Sequence, residues 1–120
     1  MKNDKRSDPR YWEKSIRLFL KEGNSKEKIE VDNLSYSGVG FTFPVKRRIF
    51  KIGERINLLL QVGNETTIFS TTIKWVSESA KKVKNYEVLK YGVKNNLATY
   101  TNLNLWKDYT TFLMLKNRFS

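Results

Sequence analysis

Two arginines four residues apart, Arg6 and Arg10, enclose Ser7, Asp8 and Pro9 near the start of the chain, and a second cluster of Asn33, Ser35 and Gly38 follows further on. A guanidinium is a planar fork: it gives two parallel hydrogen bonds to a phosphate or to the O6/N7 edge of a guanine, and it stacks flat on a purine. Asparagine brings both a donor and an acceptor to a base edge, and a serine hydroxyl reaches a base or a phosphate. Gly38 permits either a positive φ or a close backbone approach, although a plain turn glycine accounts for it equally. Lys5 beside Arg6, Asp32 beside Asn33, and Arg47 in a basic loop are secondary candidates for the same site. Together these residues suit holding an anionic purine compound.

The residues that would transform such a compound are missing. The chain has no Cys and no His, which removes thiol nucleophiles, disulfides, Ser-His-Asp triads and His- or Cys-ligated zinc. A carboxylate pair remains formally available, but the acids are scattered among lysines. No enzymatic activity, cofactor or metal is therefore expected. Lys and Arg number 23 against 12 Asp and Glu, a formal charge of +11, which favours an anionic partner while leaving most lysines explicable as a solvated surface.

The elements that must position these residues read as β-strands. Residues 1–13 are polar, charged and interrupted by Pro9, the pattern of a basic arm expected to be mobile until a ligand orders it; residues 14–120 form the folded domain. Ile16, Leu18 and Leu20 alternate as a first strand, and Gly23-Asn24-Ser25 is a turn. In a second strand from about Glu27 to Ser35 the apolar parity changes between Val31 and Leu34, which predicts a bulge near Asp32 that turns Asn33 and Ser35 to solvent. Val39, Phe41 and Phe43 make a third strand ended by Pro44. Ile56 to Val62 and Thr66 to Val76 form a hairpin around Gly63-Asn64, with Trp75 expected in the core. Ser77 to Glu87 is lysine-rich and weakly patterned. Leu89, Tyr91 and Val93 form a sixth strand. Beyond Thr101 and Asn102, which suit a helix N-cap, Leu105, Trp106, Tyr109, Phe112 and Leu113 recur at helical spacing. The fold class is all-β: a six-stranded antiparallel barrel with a C-terminal helix.

The order R-x-x-x-R (Arg6 to Arg10) followed by N-x-S-x-x-G (Asn33 to Gly38) resembles the PilZ domain family. Pro9-Arg10, the context from Val31 to Phe41, Ile52-Gly53-Glu54-Arg55-Ile56 before an apolar strand, and Tyr91-Gly92-Val93 are similar to family features. The resemblance implies a receptor for cyclic di-GMP, with Arg6, Arg10, Asn33, Ser35 and Gly38 at the ligand, one dinucleotide or a stacked pair. It also implies a protein partner in the control of motility, adhesion or exopolysaccharide. The chain departs from many members in that Tyr11-Trp12-Glu13 precede Lys14. A second register would pair Arg10 with Lys14, but lysine lacks the planar fork. Two other readings are an adaptor of the same fold that works by protein contacts alone and a general nucleic-acid binder; no stripe of stacking aromatics supports the latter. Met1 to Arg10 lacks an apolar signal core and no stretch reaches the ~20 apolar residues of a membrane span, so a cytoplasmic location is expected.

Overall fold

A period of two puts Val39, Phe41 and Phe43 on one side of a strand and Gly38, Gly40 and Thr42 on the other. The computed structural model describes residues 16–119, and in it Gly38–Pro44 is strand β4, with those three large side chains buried. The other elements among the described residues are β1 (Ile16–Glu22), β2 (Ser25–Lys28), β3 (Glu30–Leu34), β5 (Arg55–Val62), β6 (Glu65–Val76), β7 (Lys81–Val83) and β8 (Tyr86–Asn95), followed by a 3-10 turn at Leu97–Thr99 and the α-helix α1 (Leu103–Phe119). Every pairing is antiparallel, in the order β2-β1-β5-β6-β8-β4-β3, with β7 attached to β8. The result is a curled antiparallel half-barrel with a C-terminal helix, the architecture expected from the sequence.

The strand count differs from six for two physical reasons. The expected second strand is split at Ile29, which is buried and donates its N–H to Leu18 O at 3.0 Å. Its first half pairs with β1 and its second with β4, so a single bent segment joins the two ends of the sheet path. The added strand is β7, whose Lys81-Lys82-Val83 is exposed throughout and pairs only with β8. With neither face on the core, it leaves no alternation to read. Lys84, at φ 57°, makes its turn.

The core has two aromatic centres. Phe41 stacks on Tyr91 at 5.3 Å, and Phe50 meets Tyr91 edge-on at 5.2 Å. Nearer the helix, Phe69 stacks on Tyr100 at 4.3 Å and contacts Trp106 at 4.8 Å. Asn102 caps α1, its Oδ1 accepting from Leu105 N at 3.2 Å, while the buried Thr67 hydroxyl accepts from Asn102 N. The helix is pinned to β6, since Thr99 and Thr101 hydroxyls accept from Ser70 N and Ile68 N. Among the described residues no helix is long and apolar enough to cross a membrane.

Trp75 is not in the core. The register of β6 against β8 shifts between Ile73 and Trp75, so Lys74 is an extra residue. A bulge inverts the parity beyond it. Trp75 therefore lies on the outer face, 52% exposed, and Val76 packs inward in its place. Trp106, also expected to pack, is fully buried.

Candidate functional site

The bulge expected near Asp32 is present: Val31 pairs with Phe41 and Asn33 with Gly40, leaving Asp32 unpaired in the ladder. Its carboxylate accepts a hydrogen bond from the Thr42 hydroxyl at 2.7 Å, which gives the extra residue a partner on the outer face. Asn33 and Ser35 are exposed, as the parity change requires, and Leu34 packs against the core.

Asn33 lies across Gly40. A methyl group built on Gly40 would sit 2.6 Å from Asn33 Oδ1 and 2.8 Å from Nδ2, so the amide occupies the space a side chain would take. Across the next pairing Gly40 faces Gly92, and Gly92 in turn faces Trp75. A methyl on Gly92 would touch Trp75 Cβ at 3.6 Å. The outer surface thus carries two glycines side by side, Gly40 buried beneath the Asn33 amide and Gly92 half-buried beside the Trp75 indole. Lys90 and Lys94 share that face of β8 with Gly92 and are exposed. They pair with Thr42 and Gly38 of β4.

The loop between β3 and β4 is tightly held. Ser35 N donates to Gly38 O at 2.9 Å, and the Ser35 hydroxyl reaches the same oxygen at 3.4 Å. Asn95 N donates to Ser37 O at 2.8 Å. The Tyr36 carbonyl accepts from Trp106 Nε1 at 2.8 Å and from Asn95 Nδ2 at 3.4 Å. Gly38 is required by close approach, because a methyl there would lie 2.7 Å from the backbone oxygen of Val93; it has no positive φ.

The secondary candidates fall differently. Arg47 Nη2 is ion-paired with Glu27 Oε1 at 2.9 Å, so its charge is compensated at the end of the barrel. Arg48 bridges Glu22 and Glu54 and lies 4.7 Å over the Phe50 ring. Arg6, Arg10, Lys5 and the alternative partner Lys14 lie outside the described residues. Beside the glycine floor a groove of about 420 Å³ is lined by Glu27, Glu30 and Asp32 together with Lys28, Lys81 and Lys90. Three carboxylates balance three lysines there, so the groove has no net pull on an anion.

Three tyrosines have raised pKa values. Burial pushes Tyr109 up to about 12. Burial also raises Tyr100, helped by Tyr36, and Tyr91, the latter against the opposing hydrogen bond from the Phe50 backbone. All three are neutral phenols near neutral pH.

Sequence reasoning missed Gly40, Gly92, Trp75, Lys90 and Lys94 as parts of this surface. A glycine inside a strand pattern is itself a sign of close backbone approach, and Gly40 and Gly92 both carry it. The outward turn of Trp75 had a fainter sign in the apolar Val76 directly after it.

The PilZ domain family profile matches residues 4–105, so Trp106 and most of α1 lie beyond the match. No match to the sequence is found among curated proteins. A solved structure described as "MrkH, A novel c-di-GMP dependence transcription regulatory factor" aligns with a TM-score of 0.59 and 10% identity, covering 88% of this chain and 47% of that one. The chain therefore spans about half the length of that protein, and a likeness at this identity shows a shared fold.

Proposed function

Because the chain belongs to the PilZ domain family, we propose that it is a receptor rather than an enzyme, and that it binds cyclic di-GMP across the outer face of β3, β4 and β8. The observation that carries this reading is the glycine pair Gly40 and Gly92, which lets the Asn33 amide lie flat across β4 on one side and leaves the exposed Trp75 on the other. A flat base fits beside the Asn33 amide at Gly92, from which no side chain rises. In this reading Asn33 meets the guanine edge and Ser35 a base or phosphate, while Trp75 offers its ring for stacking. Lys90 and Lys94 offset the phosphodiester charge. Asp32 stays with Thr42 and sets the bulge; Arg47 stays with Glu27.

Arg6 and Arg10 supply the second half of the site from the arm of residues 1–13, and residues 14–120 act as one binding unit. Arg10 lies six positions before Ile16, and an extended chain of that length spans about 20 Å, the reach this reading assigns to the arm. Lys5 adds positive field. Closure of the arm changes the surface offered to a protein partner in motility, adhesion or exopolysaccharide control, and that change is the output.

Titration calorimetry with cyclic di-GMP tests the reading. Arg10→Ala should bind at least tenfold more weakly, about 1.4 kcal/mol, and added salt should weaken the wild type. Equal binding by the two proteins removes the arm from the site. No binding by the wild type leaves the adaptor that works by protein contacts alone.

A further inference from the structure

A buried indole N–H must find an acceptor or forfeit a hydrogen bond. Trp106 is fully buried, and its Nε1 donates at 2.8 Å to the carbonyl of Tyr36, in the loop that joins Asn33 to Gly38. Its partner is thus in the segment the ligand is proposed to touch.

We propose that Trp106 is a positioning residue through which α1 senses the state of the Asn33–Gly38 loop, so that ligand occupancy is passed to the C-terminal helix as well as to the arm. The proposal rests on the cyclic di-GMP reading for its ligand, but the mechanical link does not depend on it. From beneath, the loop hangs on Trp106 Nε1 and on Asn95, which holds Tyr36 O through its side chain and Ser37 O through its backbone. A displacement of the loop toward a ligand on the outer face therefore pulls on both. The Asn95 side-chain bond, already 3.4 Å long, goes first.

Asn95 Oδ1 and the Tyr100 hydroxyl are both buried beneath the loop, and neither meets a hydrogen-bond partner at bonding geometry among the described residues, although Asn95 acts on the Tyr100 phenol against its burial. Trp106 carries the consequence into α1, because its ring packs on Tyr100, Phe69 and Tyr109 at 5.6, 4.8 and 6.1 Å.

The experiment uses the full chain labelled with ¹⁵N. Its three tryptophans give three indole N–H signals, and Trp106→Phe, which keeps an aromatic ring but removes the donor, identifies the signal of interest. Without ligand, Trp106→Phe should speed hydrogen exchange at the Ser35 and Asn95 amides at least fivefold. Leu105→Ala, which removes core packing from the same helical turn but no hydrogen bond, should leave their rates relative to the other β4 and β8 amides unchanged. With cyclic di-GMP, the wild-type Trp106 indole signal should shift and exchange along α1 should change at least threefold, and the helix response should vanish in Trp106→Phe. Unchanged loop exchange in ligand-free Trp106→Phe, or loss of the same relative protection in Leu105→Ala, overturns the link. A wild type that binds the dinucleotide without moving the indole signal or the helix amides overturns the sensing. A wild type that does not bind refutes the nucleotide reading, and with it the ligand half of the proposal, while the ligand-free arm still decides the link.

Discussion

A methyl group placed on Gly40 meets a side chain, whereas one placed on Gly38 meets a backbone, and the two substitutions should damage different properties. At Gly38 the added carbon lies 2.7 Å from Val93 O, and relief requires β4 and β8 to separate along a ladder that runs from Gly38 to Pro44. Overpacking of that kind costs about 1–3 kcal/mol. At Gly40 the obstacle is the Asn33 amide, 2.6 Å away. That side chain is exposed and can rotate off, and an alanine in a strand recovers part of the entropy a glycine loses, about 0.5–1 kcal/mol. The fold should therefore tolerate Gly40→Ala with a melting shift within about 2 °C, against a fall of roughly 4–12 °C for Gly38→Ala. Binding should show the reverse emphasis for Gly40→Ala. A displaced Asn33 forfeits a base-edge contact worth about 1–3 kcal/mol, or roughly 5- to 150-fold in affinity for cyclic di-GMP. Thermal denaturation and calorimetry on the two variants measure both. A cycle with Asn33→Ala isolates the route, since Gly40→Ala should cost no further affinity once the amide is gone. Full-strength binding by Gly40→Ala, or an unaltered penalty in the Asn33→Ala background, would refute the reasoning.

Trp75→Ala should lose about 1–3 kcal/mol of ligand affinity, the worth of one base stack, with little change in melting temperature because the indole is half exposed; a large fall in stability would return Trp75 to the core. Asn102→Ala removes the N-cap of α1 and should cost about 0.5–2 kcal/mol in urea denaturation, with exchange rising first in the opening turn of the helix. Burial holds the Tyr109 phenol neutral up to about 12 against an ordinary 10.0. Above the ordinary value the unfolded chain releases this proton while the folded chain keeps it, so the contribution is complete below pH 10.0 and drains away between 10.0 and about 12. Tyr109→Phe should flatten the alkaline loss of stability by up to about 1.4 kcal/mol per pH unit, read from melts at successive pH values.

Features that repeat along the chain were legible before the fold was known. The parity change between Val31 and Leu34 announced the bulge at Asp32, because apolar residues on both sides of it report which face each half presents. The bulge at Lys74 was not announced: Trp75 is apolar whether it packs inward or lies exposed, so an unbroken alternation from Phe69 fits the sequence equally well. Strand β7 stayed hidden because its pairing is backbone to backbone and its side chains touch no core. The Trp106 hydrogen bond is of another kind again. Helical spacing identified a buried face, but which carbonyl receives the indole depends on how α1 settles against a loop seventy positions away, and no local pattern encodes that.

The two faces of β4 explain why the proposed site sits where it does. Phe41 and Phe43 fill the core from one side while Gly38 and Gly40 carry no side chain on the other, so the floor is only as mobile as the aromatic packing under it. Phe41 is locked between Tyr91 and Phe50, and Tyr91 is the neighbour of Gly92 in β8. A surface fixed in this way loses little conformational freedom when a ligand arrives, which concentrates the ordering cost of binding in whatever closes from outside. Glycine is the residue that lets a strand serve both purposes, because removing its side chain opens one face without disturbing the other. The wide spacing of the sequence signals follows from this arrangement. In the proposed site a motif on β3 takes its floor from β4 and β8 and its indole from β6, and the pairing order β6-β8-β4-β3 sets these four strands side by side.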